Sequence, residues 1–450
     1  MTFYSTAAFP RPIPPDLSRA RRALESAKTL RAAGQVVQIV GLTLEAQGVD
    51  CELGEMVEIH FNSHGSLLAE VVGFKEGRAL LMPLGEMHGI QPGSPVFAGG
   101  DHFRVPVGRG LLGRVVDGLG RPIDGKGPLS STATVPLTNI APHPLLRTPV
   151  TEPLATGVRA IDGLITCGKG QRLGIFSGSG VGKSTLMGAI SRNSRSDVSV
   201  IGLIGERGRE VQEFVEHYLG PEGLARSVIV VSTSDQPALV RLKGAWVATA
   251  IAEGFRDEGL DVTLLIDSVT RVAMAQREIG LAVGEPPASK GFTPSVFALL
   301  PKLMERAGTS ERGTITGFYT VLVEGDDFNE PISDAARSIL DGHIMLTRDL
   351  AVRNHYPAID VLHSVSRVMP AVTDAAHREN AGHLRRLLAA HEKARDLINI
   401  GAYASGSDPQ IDEAIALMPK ALEFLQQGTA PTLYEETVQR LNAIFEQPVG

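Results

Sequence analysis

The chain has 450 residues, of which 43% are hydrophobic and 21% charged, and this predicts two or three soluble domains of ~150 residues each. Its formal net charge of −7 argues against a protein whose bulk surface binds nucleic acid. The cysteines, Cys51 and Cys167, lie far apart, which excludes a disulfide framework or a cysteine-based zinc site and favours a reducing compartment.

The N-terminal residues 1–34 predict a flexible and partly helical arm. Residues 1–15 are rich in proline and lack the apolar segment of a secretion signal. No stretch of the chain reaches the ~20 apolar residues of a membrane span, so we expect a cytoplasmic location. Residues 16–31 predict an amphipathic, arginine-rich helix that begins at an aspartate cap. This helix is equally consistent with a solvated basic face and with a docking arm for another protein.

Residues 35–100 predict a small β-barrel. Stretches rich in β-branched residues, such as MVEIHF at 56–61 and LLAEVVGF at 67–74, alternate with glycine-containing turns roughly every 8 to 12 residues. The stretch 105–129 that follows is dense in glycine and proline. It predicts loops that join the barrel to the next domain.

Residues 101–370 predict a second domain, in which apolar strands alternate with helices. Strands such as VSVIGLIG at 198–205 and VTLLID at 262–267 are almost continuously apolar. That pattern is typical of a parallel sheet covered by helices on both faces. Residues 371–450 predict a helical C-terminal domain.

The sequence SGSGVGKST at 177–185 matches the phosphate-binding G-x-x-x-x-G-K-[ST] pattern, with a serine in place of its first glycine. The pattern predicts backbone N–H groups around a phosphate, Lys183 on the terminal phosphates and Ser184 on Mg²⁺. A glycine turn that binds nothing is the competing interpretation, but an apolar strand precedes the motif and an amphipathic helix follows it. The expected fold class is therefore α/β: a P-loop NTPase core with a parallel sheet, preceded by a small N-terminal β-barrel and followed by a helical domain.

Two acidic residues follow apolar strands of the second domain. Glu206 lies in Gly-Glu-Arg, where a glutamate could polarise a water in line with the γ-phosphate and Arg207 could neutralise phosphate charge. Asp267 ends VTLLID, the position from which a strand beside the P-loop delivers an aspartate to Mg²⁺. Alone, the first motif fits a helix-start charge cluster equally well, and the second is common. Together with the P-loop they predict a nucleotide site.

The motifs GVGKST, GERGRE, LLIDSVTR and YPAIDVLHSVSR resemble the hexameric ATPase family that includes the catalytic subunits of rotary ATP synthases. The likeness extends over essentially the whole chain from residue 35 onward. Two longer stretches, 284–308 and 320–348, resemble the type III secretion branch of that family. Within it, QREIGLAVGEPP is more similar to the flagellar export ATPases than to the injectisome homologues.

This resemblance implies a role for each matching residue. The residues that would wrap the phosphates are Ser177, Gly178, Ser179, Gly180, Val181, Gly182, Lys183, Ser184 and Thr185. Glu206 is implied as the catalytic glutamate, Arg207 as a γ-phosphate contact, and Asp267 as a Mg²⁺ anchor through water. Tyr356 matches the tyrosine that stacks on adenine, whereas no residue is assigned to the second wall of the adenine pocket. Arg367 matches the arginine finger, which ring ATPases usually supply from another subunit.

The implied function is a Mg²⁺-dependent ATPase that releases chaperones from export substrates, unfolds the substrates and passes them to a flagellar type III export gate. Because one chain carries both the P-loop and the finger, the resemblance implies a homohexameric ring. The other implied partners are a stator-like regulatory protein bound through the N-terminal arm, a central-stalk-like coiled-coil protein, export chaperones with their substrates, and the inner-membrane export gate as a peripheral contact.

Three alternatives remain at this point. An injectisome secretion ATPase is the first of them. A catalytic subunit of a rotary ATP synthase is disfavoured, because the acidic loop that contacts the rotary stalk has no obvious counterpart after Arg367. A ring helicase on RNA is disfavoured too, and no nucleic-acid partner is expected, since the barrel stretch 36–90 has only Phe61 and Phe74 as aromatic residues for stacking.

Overall fold

A computed structural model describes residues 33–61, 65–130, 133–323, 327–328 and 330–446. The described residues begin at position 33. The predicted N-terminal arm at 1–34 therefore lies outside them up to position 32, and this includes its predicted helix at 16–31. The strands are β1 (Ala33–Val40), β2 (Thr43–Gln47), β3 (Glu55–Phe61), β4 (Gly65–Lys75), β5 (Arg78–Pro83), β6 (Pro95–His102), β7 (Arg104–Val107), β8 (Arg114–Asp117), β9 (Ala133–Pro136), β10 (Arg172–Ser177), β11 (Val198–Ile204), β12 (Ser227–Ser232), β13 (Asp261–Asp267), β14 (Gly308–Thr309), β15 (Thr314–Leu322), β16 (Gly342–Leu346) and β17 (Ile359–Ser366). The α-helices are α1 (Arg159–Leu164), α2 (Lys183–Asn193), α3 (Gly208–Glu213), α4 (Gly220–Ala225), α5 (Ala238–Asp257), α6 (Val269–Ala282), α7 (Pro294–Met304), α8 (Pro331–Ile339), α9 (Arg348–Val352), α10 (Met369–Val372), α11 (Ala375–Asn399), α12 (Pro409–Leu425) and α13 (Tyr434–Ala443).

Strands β1 to β6 close into an antiparallel barrel in the order β1-β2-β5-β4-β3-β6. Alternate residues of β3, such as Val57 and Ile59, are fully buried and fill the barrel interior. The turn between β4 and β5 has positive φ at both Glu76 and Gly77, the backbone that two-residue hairpins require. The predicted N-terminal barrel is confirmed.

The second sheet has the strand order β17-β16-β10-β15-β13-β11-β12-β8, and β14 pairs with β15 outside this path. Neighbouring strands from β16 to β8 are parallel, whereas β17 runs antiparallel to β16. Every residue of β11 and β12 is buried, as expected of central strands with both faces covered. The predicted parallel sheet of a P-loop core is confirmed, and the carboxyl ends of its strands form one edge.

Strand β8 lies within the stretch 105–129 that the sequence predicted as loops, so that prediction was wrong here. It pairs in parallel with β12 at the end of the sheet. Its two valines stand among glycines and charged residues, so no alternation marks the strand in the sequence. Pairing with a buried neighbour, not local propensity, makes it a strand.

Helix α5 connects the barrel with the core. Lys243, in its second turn, is buried and forms an ion pair with Glu70 of β4, and its ammonium lies 4.9 Å from the ring centroid of Phe103. Near the end of the same helix, Glu253 accepts from the fully buried Arg306 at 2.9 and 2.5 Å. In both ion pairs the buried charge lies next to an opposite charge, which offsets the cost of removing it from water.

Helices α11 to α13 form the C-terminal helical domain and pack on α1. Asp374 and Asp408 cap α11 and α12 through their side chains, which accept from backbone N–H groups at 2.8 and 2.9 Å. Buried His377 lies 2.8 Å from the carbonyl of Gly163, and Arg385 donates to the carbonyl of Leu164 at 2.7 Å. Of the helices in the described ranges, none combines the length and apolar character needed to span a bilayer.

Candidate functional site

The loop 178–182 connects β10 to α2 at the carboxyl edge of the sheet. Gly180 and Gly182 have φ of 77° and 92°, a conformation that side-chain-bearing residues rarely adopt. The first helical bond of α2 runs from the N–H of Leu186 to the carbonyl of Gly182, so the N–H groups of the first turn have no partner within the helix. This is the backbone geometry of an anion site.

Ser177 is the last residue of β10, and its side chain is fully buried with a hydroxyl that has no hydrogen-bond partner in the described chain. Its carbonyl accepts from the N–H of Val323 at 2.9 Å. Ser179 and Gly180, in contrast, are exposed on the loop. The structure therefore places the side chain of Ser177 beneath the loop, and its contact with ATP stays a prediction.

Lys183, Glu206 and Asp267 converge from three different elements. The ammonium of Lys183 lies 3.2 Å from Oε1 of Glu206 and also forms an ion pair with Oδ1 of Asp267. Oδ1 of Asp267 accepts a further hydrogen bond from the hydroxyl of Thr320 at 2.6 Å. The structure thus brings together three of the predicted residues, because their strands end at the same edge of the sheet. Thr320, on β15, was missed by the sequence analysis.

The two neighbouring carboxylates determine the charge of Lys183. Burial alone would lower the pKa of Lys183, but the charges of Asp267 and Glu206 outweigh it and raise that pKa above its usual value. For Glu206, burial raises the pKa, the charge of Lys183 opposes that effect, and a hydrogen bond with Glu210 adds to it. The net pKa of Glu206 is raised, which moves this carboxyl toward the range of a general base.

Ser184 and Asp267 are the predicted Mg²⁺ residues. Ser184 lies in the first turn of α2, and a hydroxyl with a carboxylate is a donor set that fits Mg²⁺. No cluster of three or more His, Cys, Asp or Glu side chains that could hold a metal occurs within the described ranges.

A cleft of about 340 Å³ opens beside the P-loop. Val181, Gly182 and Thr185 line its floor, and Tyr356 forms one side. The ring of Tyr356 lies close over Gly182, since its carbons are 3.6 and 3.7 Å from where a Cβ would stand. Tyr356 is 42% exposed, so the residue is accessible to a ligand in the cleft.

A further wall of the cleft is the segment 427–430, which connects α12 to α13. Sequence analysis left this wall unassigned, because the segment has no aromatic residue. Its only local signal is the run Gln-Gly-Thr-Ala between two helical stretches, just before Pro431. The helical domain therefore contributes to the cleft through a loop that Gln427 holds in place.

Arg207 is not part of the cluster around Lys183. Its side chain is 68% exposed and lies 3.6 Å from the carboxylate of Glu210 on α3. Arg271 on α6 is a second arginine at this edge: its carbons pack against Gly205, and its Nε is buried without a partner in the described chain. The structure places both guanidinium groups within the same strand-end region, and a contact of Arg207 with the γ-phosphate stays a prediction.

Arg367 lies at the other edge of the sheet. It follows β17, which runs antiparallel to β16, and its backbone N–H donates to the carbonyl of Asp341 at 3.0 Å. Asp341 in turn holds Arg172 at the start of β10, whereas the P-loop follows the end of β10. The six residues of β10 separate the two by roughly 20 Å. Arg367 is exposed, so its side chain faces solvent far from its own P-loop.

Comparisons with known proteins agree with this architecture. The ATP synthase alpha/beta family matches with its beta-barrel domain over residues 36–98 and with its nucleotide-binding domain over residues 157–366. The T3SS EscN ATPase C-terminal domain matches residues 373–443. The three matches follow the order of the barrel, the parallel sheet and the helical domain.

Curated relatives resemble the chain over nearly their full length. The flagellum-specific ATP synthase of Bacillus subtilis is 53% identical over 94% of this chain and 97% of its own. The type 3 secretion system ATPase of Xanthomonas euvesicatoria is 52% identical over 92% of this chain and 95% of its own. The assembled ATPase EscN from the enteropathogenic E. coli type III secretion system superposes with a TM-score of 0.87 at 46% identity, over 91% of this chain and 99% of its own. The chain belongs to the ATP synthase alpha/beta family, in the branch of the flagellum-specific and type III secretion ATPases.

Proposed function

We propose that this chain hydrolyses MgATP in a homohexameric ring and that hydrolysis serves the export of flagellar proteins through a type III apparatus. The observation that carries the proposal is the contact of Lys183 with both Glu206 and Asp267, at the edge where the P-loop and the cleft of Tyr356 meet. In this arrangement the P-loop would bind the phosphates of ATP, the cleft would bind its adenine, and Glu206 would polarise the attacking water.

Two carboxylates, those of Glu206 and Asp267, form ion pairs with Lys183. The β- and γ-phosphates of ATP would compete for its ammonium, because charge-assisted bonds from an ammonium to phosphate are strong. Glu206 then loses its partner and is left to accept a proton from a water aimed at the γ-phosphate. Bound Mg²⁺, held by Ser184 and through water by Asp267, would neutralise phosphate charge.

The adenine of ATP would bind between Tyr356 and the segment 427–430. Tyrosine stacking is tolerant of ring orientation and gives binding energy without a specific hydrogen bond. Thr185, at the end of the phosphate loop, also lines the cleft. Tyr356, the nine residues from Ser177 to Thr185, and the segment 427–430 thus form one continuous nucleotide site in this proposal.

A ring follows from the position of Arg367. Its side chain is exposed at the edge opposite its own P-loop, so it serves the γ-phosphate only if a neighbouring copy brings its site to this surface. A relative, the type III secretion ATPase EscN, has been solved in an assembled form and in complex with its central stalk EscO. A stalk-like coiled-coil partner is part of the proposal for this chain.

Two inactive variants test the ring. Lys183→Ala removes the phosphate contact but keeps the finger, and Arg367→Ala removes the finger but keeps the P-loop. Rings assembled from both chains contain interfaces with one intact P-loop and one intact finger, so we expect part of the ATPase activity to return. Rings that contain both chains by native mass spectrometry and remain inactive would show that Arg367 does not act across an interface.

The similarity to flagellum-specific and type III secretion ATPases supports the export role, which a purification experiment can test. A tagged full-length chain, purified under mild conditions from cells that make it, should enrich flagellar export chaperones and their substrates. Injectisome chaperones in their place would favour the alternative branch, and synthase subunits would contradict both. The same sample tests the proposed location at the cytoplasmic face of the export gate, because membrane export components should be enriched with the chain.

Deletion of residues 1–31 addresses the stator-like partner in the same purification. If the arm is the docking segment, the truncated chain keeps its ATPase core and loses that partner. Equal recovery of the partner by both chains would show that the arm is only a solvated segment.

A further inference from the structure

Gln427 connects three walls of the nucleotide cleft. Its backbone N–H donates to the carbonyl of Tyr356 at 2.9 Å, and its side-chain amide donates to the carbonyls of Gly157 and Ala430, both at 2.8 Å. Its side-chain carbonyl accepts from the N–H of Arg159 at 2.8 Å. The side-chain amide of Gln427 therefore has both of its hydrogens and its oxygen engaged by protein groups. It is committed to holding the walls and has no donor left for a base.

Arg159 holds the same segment from the other side. Its guanidinium donates to the carbonyls of Phe424, Glu423 and Gln426 at 2.8, 3.1 and 2.5 Å. These carbonyls belong to the last turn of α12 and the residue after it, where helical C=O groups lack intrahelical partners and favour a cation. A fourth bond goes to the hydroxyl of Thr432 at 3.3 Å, beyond the cleft segment. All four acceptors are uncharged.

The clasp formed by Arg159 and Gln427 therefore spans two domains. Arg159 lies on α1, directly after Gly157 and Val158 of the cleft, whereas Gln427 follows α12 of the helical domain. Few other residues hold the segment 427–430, whose remaining members are exposed. The N–H of Thr432, which donates to the carbonyl of Gly157 at 3.1 Å, completes the attachment.

We propose that Arg159 and Gln427 are positioning residues that fix the spacing between Tyr356 and the segment 427–430, and thereby set the affinity of the base pocket for ATP. The proposal rests on the nucleotide site described under the proposed function and adds residues that touch neither phosphate nor metal. It also makes the affinity of the cleft depend on the position of α12, because Arg159 binds the end of that helix and the cleft wall together.

Gln427→Glu is the direct test, since it keeps the size of the side chain and replaces the donating amide by a carboxylate that faces two carbonyl oxygens. Loss of these bonds should widen the pocket and raise the KM for MgATP roughly tenfold, with kcat within about twofold of the parent value. Arg159→Lys keeps the charge but loses the fork that binds several carbonyls, so it should shift KM in the same direction by a smaller factor.

Gln426→Glu is the matched control. Gln426 is the adjacent glutamine, but its side chain lies 3.4 Å from His355 and lines a different groove. The same change of amide to carboxylate one residue away should leave KM and kcat within about twofold of the parent values. A Gln426→Glu variant with the same rise in KM as Gln427→Glu would overturn the proposal, because added negative charge alone would explain both.

Calorimetric binding of MgATP and of magnesium tripolyphosphate to the full chain separates the base pocket from the phosphate site. Gln427→Glu should weaken MgATP binding and leave tripolyphosphate binding unchanged. Equal weakening of both ligands, or of neither, contradicts the clasp. Unfolding of both clasp variants while Gln426→Glu remains folded also contradicts it, since the bonds would then serve the fold. A parent chain that binds neither ligand would instead refute the proposed nucleotide site itself.

Discussion

The charged residues at the two edges of the central sheet differ in their ion-pair partners. At the carboxyl edge, Lys183 forms ion pairs with two carboxylates, Glu206 and Asp267, which a phosphate would displace in the proposed site. At the opposite edge, Arg172 and Arg367 stand next to Asp341, yet only Arg172 uses its side chain there. Arg172 is bound bidentately, whereas Arg367 contributes only its backbone and leaves its guanidinium in solvent. At this edge the paired guanidinium of Arg172 stabilises the fold, whereas the exposed guanidinium of Arg367 is available to another molecule.

The largest effect is expected at the carboxyl edge. Lys183→Ala removes the ammonium that would face the β- and γ-phosphates and leaves Glu206 and Asp267 without their cation. Because charge-assisted bonds to phosphate are lost and two negative charges remain, MgATP binding, and hydrolysis with it, should be abolished. Calorimetry on the purified chain measures this.

Lys169→Ala is the control for Lys183→Ala. Lys169 forms its ion pairs with Glu152 and Asp261 away from the P-loop. Its loss should leave the affinity for MgATP unchanged. Normal nucleotide affinity in Lys183→Ala would remove Lys183 from the phosphate site.

The next effect concerns the free arginine at the opposite edge. Arg367→Ala should lower kcat by about 10³- to 10⁵-fold, the range of an arginine finger, while MgATP binding and the thermal unfolding midpoint stay near those of the parent chain. Arg367→Lys should lose most of the activity as well, because lysine lacks the planar fork. Steady-state rates at saturating MgATP, measured at protein concentrations where rings form, provide the comparison.

Arg172→Ala sharpens the same contrast. It breaks the contacts with Asp341 and Glu305 that fasten the start of β10, so it should destabilise the chain by about 2 kcal/mol and lower the unfolding midpoint. A stable Arg172→Ala variant, or an Arg367→Ala variant that unfolds early, would reverse the distinction between the saturated and the free arginine.

Glu206→Gln tests the general base within the carboxyl edge. The amide keeps the shape of the side chain but cannot accept a proton from water, so kcat should fall by about 10²- to 10⁴-fold with MgATP still bound. Single-turnover hydrolysis with radiolabelled ATP measures the chemical step directly. Turnover within a few-fold of the parent rate would assign the base to another group.

The smallest effect is a shift in pH dependence. Burial, and then the hydrogen bond with Glu210, raise the pKa of Glu206, and Glu206 must be ionised to act as a base. Since the ionised fraction grows as pH rises through the pKa, Glu210→Gln should lower that pKa and move the acid limb of kcat/KM to lower pH. Glu213→Gln, whose carboxylate partners Tyr218, is the control and should leave the limb in place.

Sequence reasoning recovered what local chemistry determines. The glycines of the P-loop, Lys183, Glu206 just after β11 and Asp267 at the end of β13 are predictable, because each motif is continuous in sequence and a parallel sheet collects strand ends at one edge. The meeting of Lys183 with Glu206 and Asp267 follows from that rule. The barrel and the order of the domains were likewise predictable from alternation and turn spacing.

What sequence reasoning missed depends on long-range packing. Strand β8 has four residues whose pairing partner lies more than a hundred positions away, and the cleft wall 427–430 has polar or small side chains with no chemical signature. Thr320 and Arg159 act through contacts with residues on other elements, and nothing in their immediate neighbours indicates those contacts. The roles of such residues can be identified only from the contacts that they make in the folded chain.

The buried pair of Lys243 and Glu70 has a mechanical consequence. Any rotation of the barrel against the core at this joint must separate the buried ammonium of Lys243 from Glu70, and leaving a buried charge unpaired costs about 3 to 5 kcal/mol. Helix α5, about 30 Å long, carries Lys243 near its start and the Glu253–Arg306 pair near its end. The helix is therefore fastened to the barrel at one end and to Arg306 of the core at the other.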